Sequence, residues 1–597
     1  MLRLNPRLAT WRGFRVGHHE GDVAIDLFTG RIDVRLAVTI EMEDDAQQEF
    51  YFFSWLDVES VETPDGSPVP FTRETIDGYP LVRIVPDDAP EAPGRRTFVF
   101  TQGGVPQCGM DGPISVNLCG WGASTYIAGD LFLPSSLARD FATMDLRITL
   151  EAGVTVASTG WTTFVEPGHD GDHEIHHLIQ AFPTNAQSFG IGRFEESRIP
   201  YGTGGWIRLF TLANANLQDA VAGLLNDMRD VLDFYSSRYG KFLYPKMEAV
   251  QVSDKAGAAF GWPALLWIPN GMFGAGNRGY RDDERTALFA HELAHQWYPG
   301  MLQNNDSWAA WLSEGFAEYS SVEYMGSVKG SSYALSYYDH YGMLYMYYVP
   351  TEADYGLTSL ESQYVSSSWI YQIVTYFKGA AVAHILESVM GRDRFLAALR
   401  NLYDDYAGKP LFYNTAILQA YLEAEHGESL DAVFRNWVYN KGYPIYTVDV
   451  TRVPGEGEGE SVAVRVRRGS SWKWNQFEMP ITFAVQGDEG EVEHRVLVDQ
   501  DDMTFTWDVP GRLVRMRFDP ARDFFKRIVP GLPGDWDLSG EVDGIDLLYT
   551  AWAQGGRIGY TSNFLPWVDF DGDGSVDEKD MQKVLDSFGS VASEVVE

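Results

Sequence analysis

The chain has 597 residues, with 84 Asp and Glu against 46 Lys and Arg, a formal net charge of −38. That balance argues against nucleic acid and anionic lipid as partners, because both need a basic surface. Hydrophobic residues make up 45%, which excludes a disordered tail, and the length predicts about four domains.

Residues 1–205 read as an N-terminal β domain. Stretches such as Arg31–Met42 and Thr97–Thr101 alternate or run β-branched between Gly, Pro and Asp turns. Cys108 and Cys119, the two cysteines, are too few for a cysteine-based zinc ribbon or an iron–sulfur cluster. They form either one small-loop disulfide or two buried thiols. Residues 206–442 turn helical, with apolar residues three and four apart. Strands return over 443–528, with a Gly/Glu turn at 455–460, and the stretch 529–534 is a linker by composition. A small module follows over 534–590, built on two similar segments 34 residues apart. No uninterrupted apolar run of about 18 residues is present, so membrane insertion is not expected.

The strongest chemical signal is His291-Glu292-Leu293-Ala294-His295. Asp282, Asp283 and Glu284 before it suit the first turn of a helix. Positions four apart share one helix face, so both imidazoles can reach one ion, while Glu292 reaches a bound water without being a ligand. A hydrolytic zinc site needs three protein ligands and an open position. Glu314, 19 residues after His295, is the third candidate.

HELAHQW followed by WLSEGFAEY resembles the gluzincin metallopeptidases of the aminopeptidase N and leukotriene hydrolase family. Tyr376-Phe377-Lys378-Gly379 is similar to that family's Tyr-x-Lys-Gly element, 62 residues beyond Glu314. Phe434-Arg435-Asn436-Trp437 and Lys441-Gly442-Tyr443-Pro444 look like the end of its catalytic domain. The resemblance implies a thermolysin-like, mainly α catalytic domain over 206–442, inside a multidomain α+β chain with a β-sandwich over 443–528. It implies one catalytic Zn²⁺ on His291, His295 and Glu314, with Glu292 as general base and Tyr376 donating to the oxyanion. Tyr371 is the runner-up for that last role. Glu318, one turn after Glu314, is either a group that orients a ligand histidine or a solvated carboxylate.

One strand departs from the family. Its Gly-Ala-Met-Glu-Asn stretch, whose Glu pairs with the substrate's α-amino group, matches Gly257-Ala258-Ala259-Phe260-Gly261. The anchoring Glu falls on Phe260, which cannot pair with an ammonium by charge. A cation–π contact is worth only about 0.5–2 kcal/mol. Asp254 is a nearby substitute. The expected activity is therefore peptide-bond hydrolysis of aminopeptidase type. The alternatives are an endopeptidase or blocked-N-terminus peptidase, and a catalytically silent peptide- or scaffold-binding relative. A second departure is Pro299 in HQWYPG, which must alter the helix exit, since proline lacks a backbone N–H.

The C-terminal segments each fit an EF-hand-like calcium loop. The first offers Asp535, Asp537, Ser539, Glu541, Asp543 and Asp546; the second offers Asp569, Asp571, Asp573, Ser575, Asp577 and Asp580. Glu541 and Ser575 would give backbone carbonyls, and a glycine at the sixth position suits the sharp turn. The duplicated loop–helix unit resembles dockerin modules. That implies two structural Ca²⁺ and a cohesin-like scaffold partner, with a purely structural calcium-stapled tail as the alternative. Calcium loops favour an extracellular or periplasmic location. The first residues contain no apolar signal-peptide core, so the leader is taken to be absent from this chain.

Overall fold

The computed structural model describes residues 13–592 except 43–47, 77–78, 88–93, 107–123, 137–139, 185, 213–217, 254–258, 274–281, 307, 351, 366, 456–459, 473–474, 558–563 and 566–567. The expectations for Cys108, Cys119, Asp254, Gly257 and Ala258 lie outside the described residues. The chain forms two compact units, Met1–Asn305 with Tyr403–Phe412, and Asp306–Leu402 with Tyr413–Glu597.

The first unit is rich in β-structure because its sequence alternates. In the strand Ile32–Met42, Ile32, Val34, Leu36, Val38 and Ile40 are buried while Asp33 and Arg35 are exposed. Each such buried aliphatic side chain contributes about 1.5–3 kcal/mol. This strand sits in a seven-stranded sheet, between Phe14–Ile25 and Arg95–Gly104. Phe14–Ile25 runs parallel to Ala142–Glu151 on its other side. A five-stranded sheet follows. In it Gly205–Leu212 pairs antiparallel with Phe194–Tyr201 and parallel with Lys246–Val252, so one sheet runs through residue 205. Lys246–Val252 is buried at every position, as a two-sided parallel strand requires. The sheet ends at the short edge strand Phe260–Trp262, antiparallel to Leu265–Pro269.

The second unit opens with helices Glu314–Lys329, Ser331–Tyr348 and Gly379–Met390. Ser368–Met390 is long and apolar enough by composition to cross a membrane, yet 72% of an apolar 18-residue stretch within it is buried inside the protein. Next come a four-stranded sheet containing Pro444–Pro454 and Glu460–Ser470, and a three-stranded sheet containing Met479–Gly487. Phe483 of the smaller sheet meets Phe505 and Trp507 of the larger at 6.2 and 5.3 Å. The last helices, Gly544–Ala553 and Glu578–Ser587, enclose a small core of Trp536, Val542, Ala553, Val568, Val576 and Val584. Met343, Tyr347 and Tyr348 of helix Ser331–Tyr348 pack against that core. The C-terminal segment is thus docked on the helical part of its unit.

Candidate metal centre and hydrolytic site

The helix predicted from the acidic run starts at Asp282 and ends at Ala294. Phe289, Ala290, Leu293 and Ala294 are almost fully buried. Tyr235 of helix Gln218–Tyr239 donates its hydroxyl proton to the Ala290 carbonyl at 2.9 Å, and Trp297 Nε1 donates to Gly240 O at 3.0 Å. These bonds and the Tyr235–Trp297 ring contact at 5.6 Å fix the helix in its unit.

Pro299 acts as its chemistry predicts. Tyr298 (φ −124°, ψ 94°) and Pro299 both leave helical geometry. The departure turns the Tyr298 carbonyl toward His295, whose Nδ1 lies 2.8 Å from it. A carbonyl only accepts, so Nδ1 carries the proton and Nε2 keeps its lone pair for a metal.

Among the described residues, three groups of side chains can hold a metal ion. The first is His291, His295 and Glu314, in which the two imidazole rings stand 4.9 Å apart, centroid to centroid. Both histidines and Glu292 are buried. Two nitrogens and one carboxylate oxygen suit zinc in charge and softness. Glu314 is the first residue of helix Glu314–Lys329. Tyr341 donates its hydroxyl proton to Glu318 one turn later. Tyr376 lies in the π-helical turn Ile373–Lys378, half-buried, with the Tyr371 ring 6.4 Å away. Burial, with the Glu314 charge as a smaller cause, pushes the Tyr371 phenol up.

Three features escaped the sequence reading. Gln296, fully buried, accepts from Ala264 N at 2.7 Å and donates to Trp262 O at 2.9 Å. It thereby ties the turn after the edge strand to the residue that follows His295. Gly261 lies against the same helix: a methyl group there would fall 2.5 Å from Glu292 O and 2.8 Å from His295 Cβ. Glutamine after HExxH and a glycine inside a strand pattern were the available signals. Phe260 is half-buried and packs edge-on against Trp267 at 6.4 Å, and Ala259 is buried.

The third feature is the environment of Lys378. Its buried ammonium donates to Tyr345 Oη at 3.1 Å and stands 3.8 Å from Asp354 Oδ1. Asp354 in turn accepts from Tyr345 Oη at 2.5 Å and Gly442 N at 2.8 Å. A cavity of about 230 Å³ borders this network, lined by Tyr345, Asp354, Gly442, Tyr443 and Trp472 among others, and includes none of the three putting a ligand atom into the first cluster.

The two other groups are Asp535, Asp537 and Asp546, and Asp569, Asp571 and Asp580. Gly540 and Gly574 take φ of +82° and +85°, a conformation glycine adopts at low cost, as the sharp turn demands. Asp543 and Asp577 cap the following helices, accepting from Ile545 N and Lys579 N. Ser539 Oγ donates to Glu541 O at 3.2 Å, and Asp573 accepts from Ser575 N at 2.9 Å. Burial, then neighbouring carboxylates, raises the Asp535 carboxyl to about 8 and the Asp546 carboxyl to about 6. Buried carboxylates crowded in this way fit a bound cation.

Residues 224–445 match the Peptidase family M1 domain. Aminopeptidase N of Homo sapiens is 25% identical over 299 residues, covering 46% of this chain and 30% of that protein. Probable aminopeptidase 1 of Saccharolobus solfataricus is 26% identical over 333 residues, 52% of this chain and 39% of that protein. The puromycin-sensitive aminopeptidase of Caenorhabditis elegans is 24% identical over 403 residues, 63% and 40% respectively. The chain thus matches well under half the length of these curated relatives.

Proposed function

We propose that the protein is a zinc-dependent metallopeptidase of aminopeptidase type. The observation that carries this is the buried His291, Glu292 and His295 set on one helix, with Glu314 19 residues on, all within the segment matched by the M1 domain. In this reading the three side chains hold one Zn²⁺, which supplies Lewis-acid polarisation of the scissile carbonyl and acidifies the attacking water. Glu292 takes the water's proton and returns it to the leaving amine, so that one peptide bond and one water give a carboxylate and an amine. Tyr376 donates a hydrogen bond to the oxygen that gains charge; such a donor is worth about 3 kcal/mol in the barrier. The edge strand Phe260–Trp262 lies beside Glu292, and its phenyl ring offers the substrate's ammonium at most a cation–π contact.

For the C-terminal module the reading is dockerin-like, with two Ca²⁺ held mainly by the two aspartate groups. Ile545, Leu548 and Trp552, exposed on one face of helix Gly544–Ala553, support a cohesin-like scaffold partner. Export rests on the calcium loops alone.

The test is zinc content together with cleavage of one peptide mixture, free and N-acetylated, read by mass spectrometry. One zinc per chain and stepwise loss of N-terminal residues from the free form are expected. Internal cuts in both forms overturn the aminopeptidase assignment, and a zinc-loaded protein that cuts neither form overturns the enzyme.

A further inference from the structure

Tyr376 is carried by the short turn Ile373–Lys378, so the groups that place that turn also place its ring. On one side stands a glycine pair. Gly315 directly follows Glu314, and Gly379 begins the helix that continues the Tyr376 turn. A methyl on Gly379 would lie 3.0 Å from Gly315 Cα and 3.4 Å from Trp311 Cβ. A methyl on Gly315 would lie 3.0 Å from Gly379 Cα and 3.3 Å from Thr375 O. The two backbones therefore touch where neither residue has a side chain, one position from Glu314 and three from Tyr376.

On the other side stands Lys378. Its ammonium lies under the Tyr345 ring at 4.7 Å and bonds the Tyr345 hydroxyl, within reach of Asp354. Asp354 is held by the amides of Gly442 and Tyr355. Lys441 Nζ donates to the Asp354 carbonyl at 3.0 Å. Burying an ammonium this completely is costly unless it is paired, and here it has a carboxylate, a hydroxyl and an aromatic face. These partners hold one end of the turn.

We propose that Gly315, Gly379 and Lys378 are positioning residues that fix the turn carrying Tyr376 relative to the helix that begins at Glu314. The glycine pair sets the approach, and the lysine prevents the turn from rolling about it. Donor placement at an oxyanion tolerates little error, so a shift of a few tenths of an ångström is felt in turnover and hardly in substrate binding. The proposal rests on the reading of Tyr376 as the oxyanion donor.

The test is a pair of double-mutant cycles, Gly379→Ala with Tyr376→Phe and Lys378→Met with Tyr376→Phe. The readouts are kcat and KM on leucine 4-nitroanilide, normalised to bound zinc, with melting temperature recorded for each variant. Each single positioning variant is expected to lose about tenfold or more in kcat with KM nearly unchanged, and to lose little further in the Tyr376→Phe background. Losses that multiply in the double variants, or a Gly379→Ala enzyme with full kcat, overturn the proposal alone. Full activity in Tyr376→Phe overturns the donor role and the proposal with it. Since Lys378→Met leaves Asp354 buried without its cation, Lys378→Met/Asp354→Asn is the companion variant. Recovery of melting temperature without recovery of kcat is expected, and recovery of both reduces Lys378 to a structural part.

Discussion

The Tyr298 carbonyl oxygen sits 2.8 Å from His295 Nδ1 and decides which ring nitrogen of that histidine carries the proton. The contact exists because the chain leaves helical geometry at Tyr298 and Pro299. In a continued helix the carbonyl would point along the axis, toward a backbone amide.

Replacing Pro299 by Ala removes the obstacle to a continuing helix. Zinc affinity is expected to fall about 10–100-fold, the usual cost of losing the partner of a ligand histidine. Competition with a fluorescent chelator measures it. Unchanged affinity would mean that Tyr298 holds its conformation without the proline.

Glu292→Gln preserves shape and removes the proposed base. Zinc content should remain one per chain while kcat drops by about 10²–10⁴-fold. Surviving turnover would remove Glu292 from the proton path.

Phe260→Glu restores a carboxylate to the edge strand beside Glu292. The ratio of kcat/KM for free over N-acetylated peptides should rise about tenfold, from one charge-assisted hydrogen bond to the ammonium. A fall in the rate for both forms alike would show that the phenyl ring serves packing against Trp267 instead.

Gln296→Ala leaves the buried Ala264 N–H and the part-buried Trp262 C=O without this partner. Stability should fall by about 1–3 kcal/mol per unsatisfied group, read from denaturant titration. KM should rise as the edge strand loosens, and an unaltered KM with lowered stability would confine Gln296 to folding.

The aspartate loops predict an inverted pH dependence for the cation-free protein. Burial raises Asp535 to about 8 and Asp546 to about 6 from an ordinary 3.8, so the folded module binds protons more tightly than the unfolded chain. Its stability is then full below about pH 3.8 and is lost as pH rises through about 6 and 8. Millimolar calcium should abolish the loss at neutral pH. Hydrogen exchange over Trp536–Ala553 reports it, and protection that does not change with pH or calcium would refute the reading.

Local spacing made much of the site legible. Four-residue separation of His291 and His295 on a helix, acidic residues at its start, and glycine at the sixth loop position are short-range rules, and the elements follow them. The approximate β, helical, β order was legible for the same reason, since alternation and helical periodicity are read within one turn or one strand. Which strands share a sheet was not legible, because strand pairing links residues far apart in sequence: Gly205–Leu212 joins Phe194–Tyr201 to Lys246–Val252.

By itself the sequence determined which side chains are available: two imidazoles, their carboxylate neighbour Glu292, a further carboxylate at Glu314, and two aspartate-rich loops. Only the tertiary structure decided how they are held. Gln296 finds its partners 32 and 34 residues away, and Gly261 and Gly379 matter through the backbone that approaches them. Lys378 is neutralised by a carboxylate from a separate segment. The physical reason is that such contacts join positions with no fixed spacing along the chain. Their energies come from burial and from closing hydrogen bonds across the fold, and these exist only once distant segments are packed together.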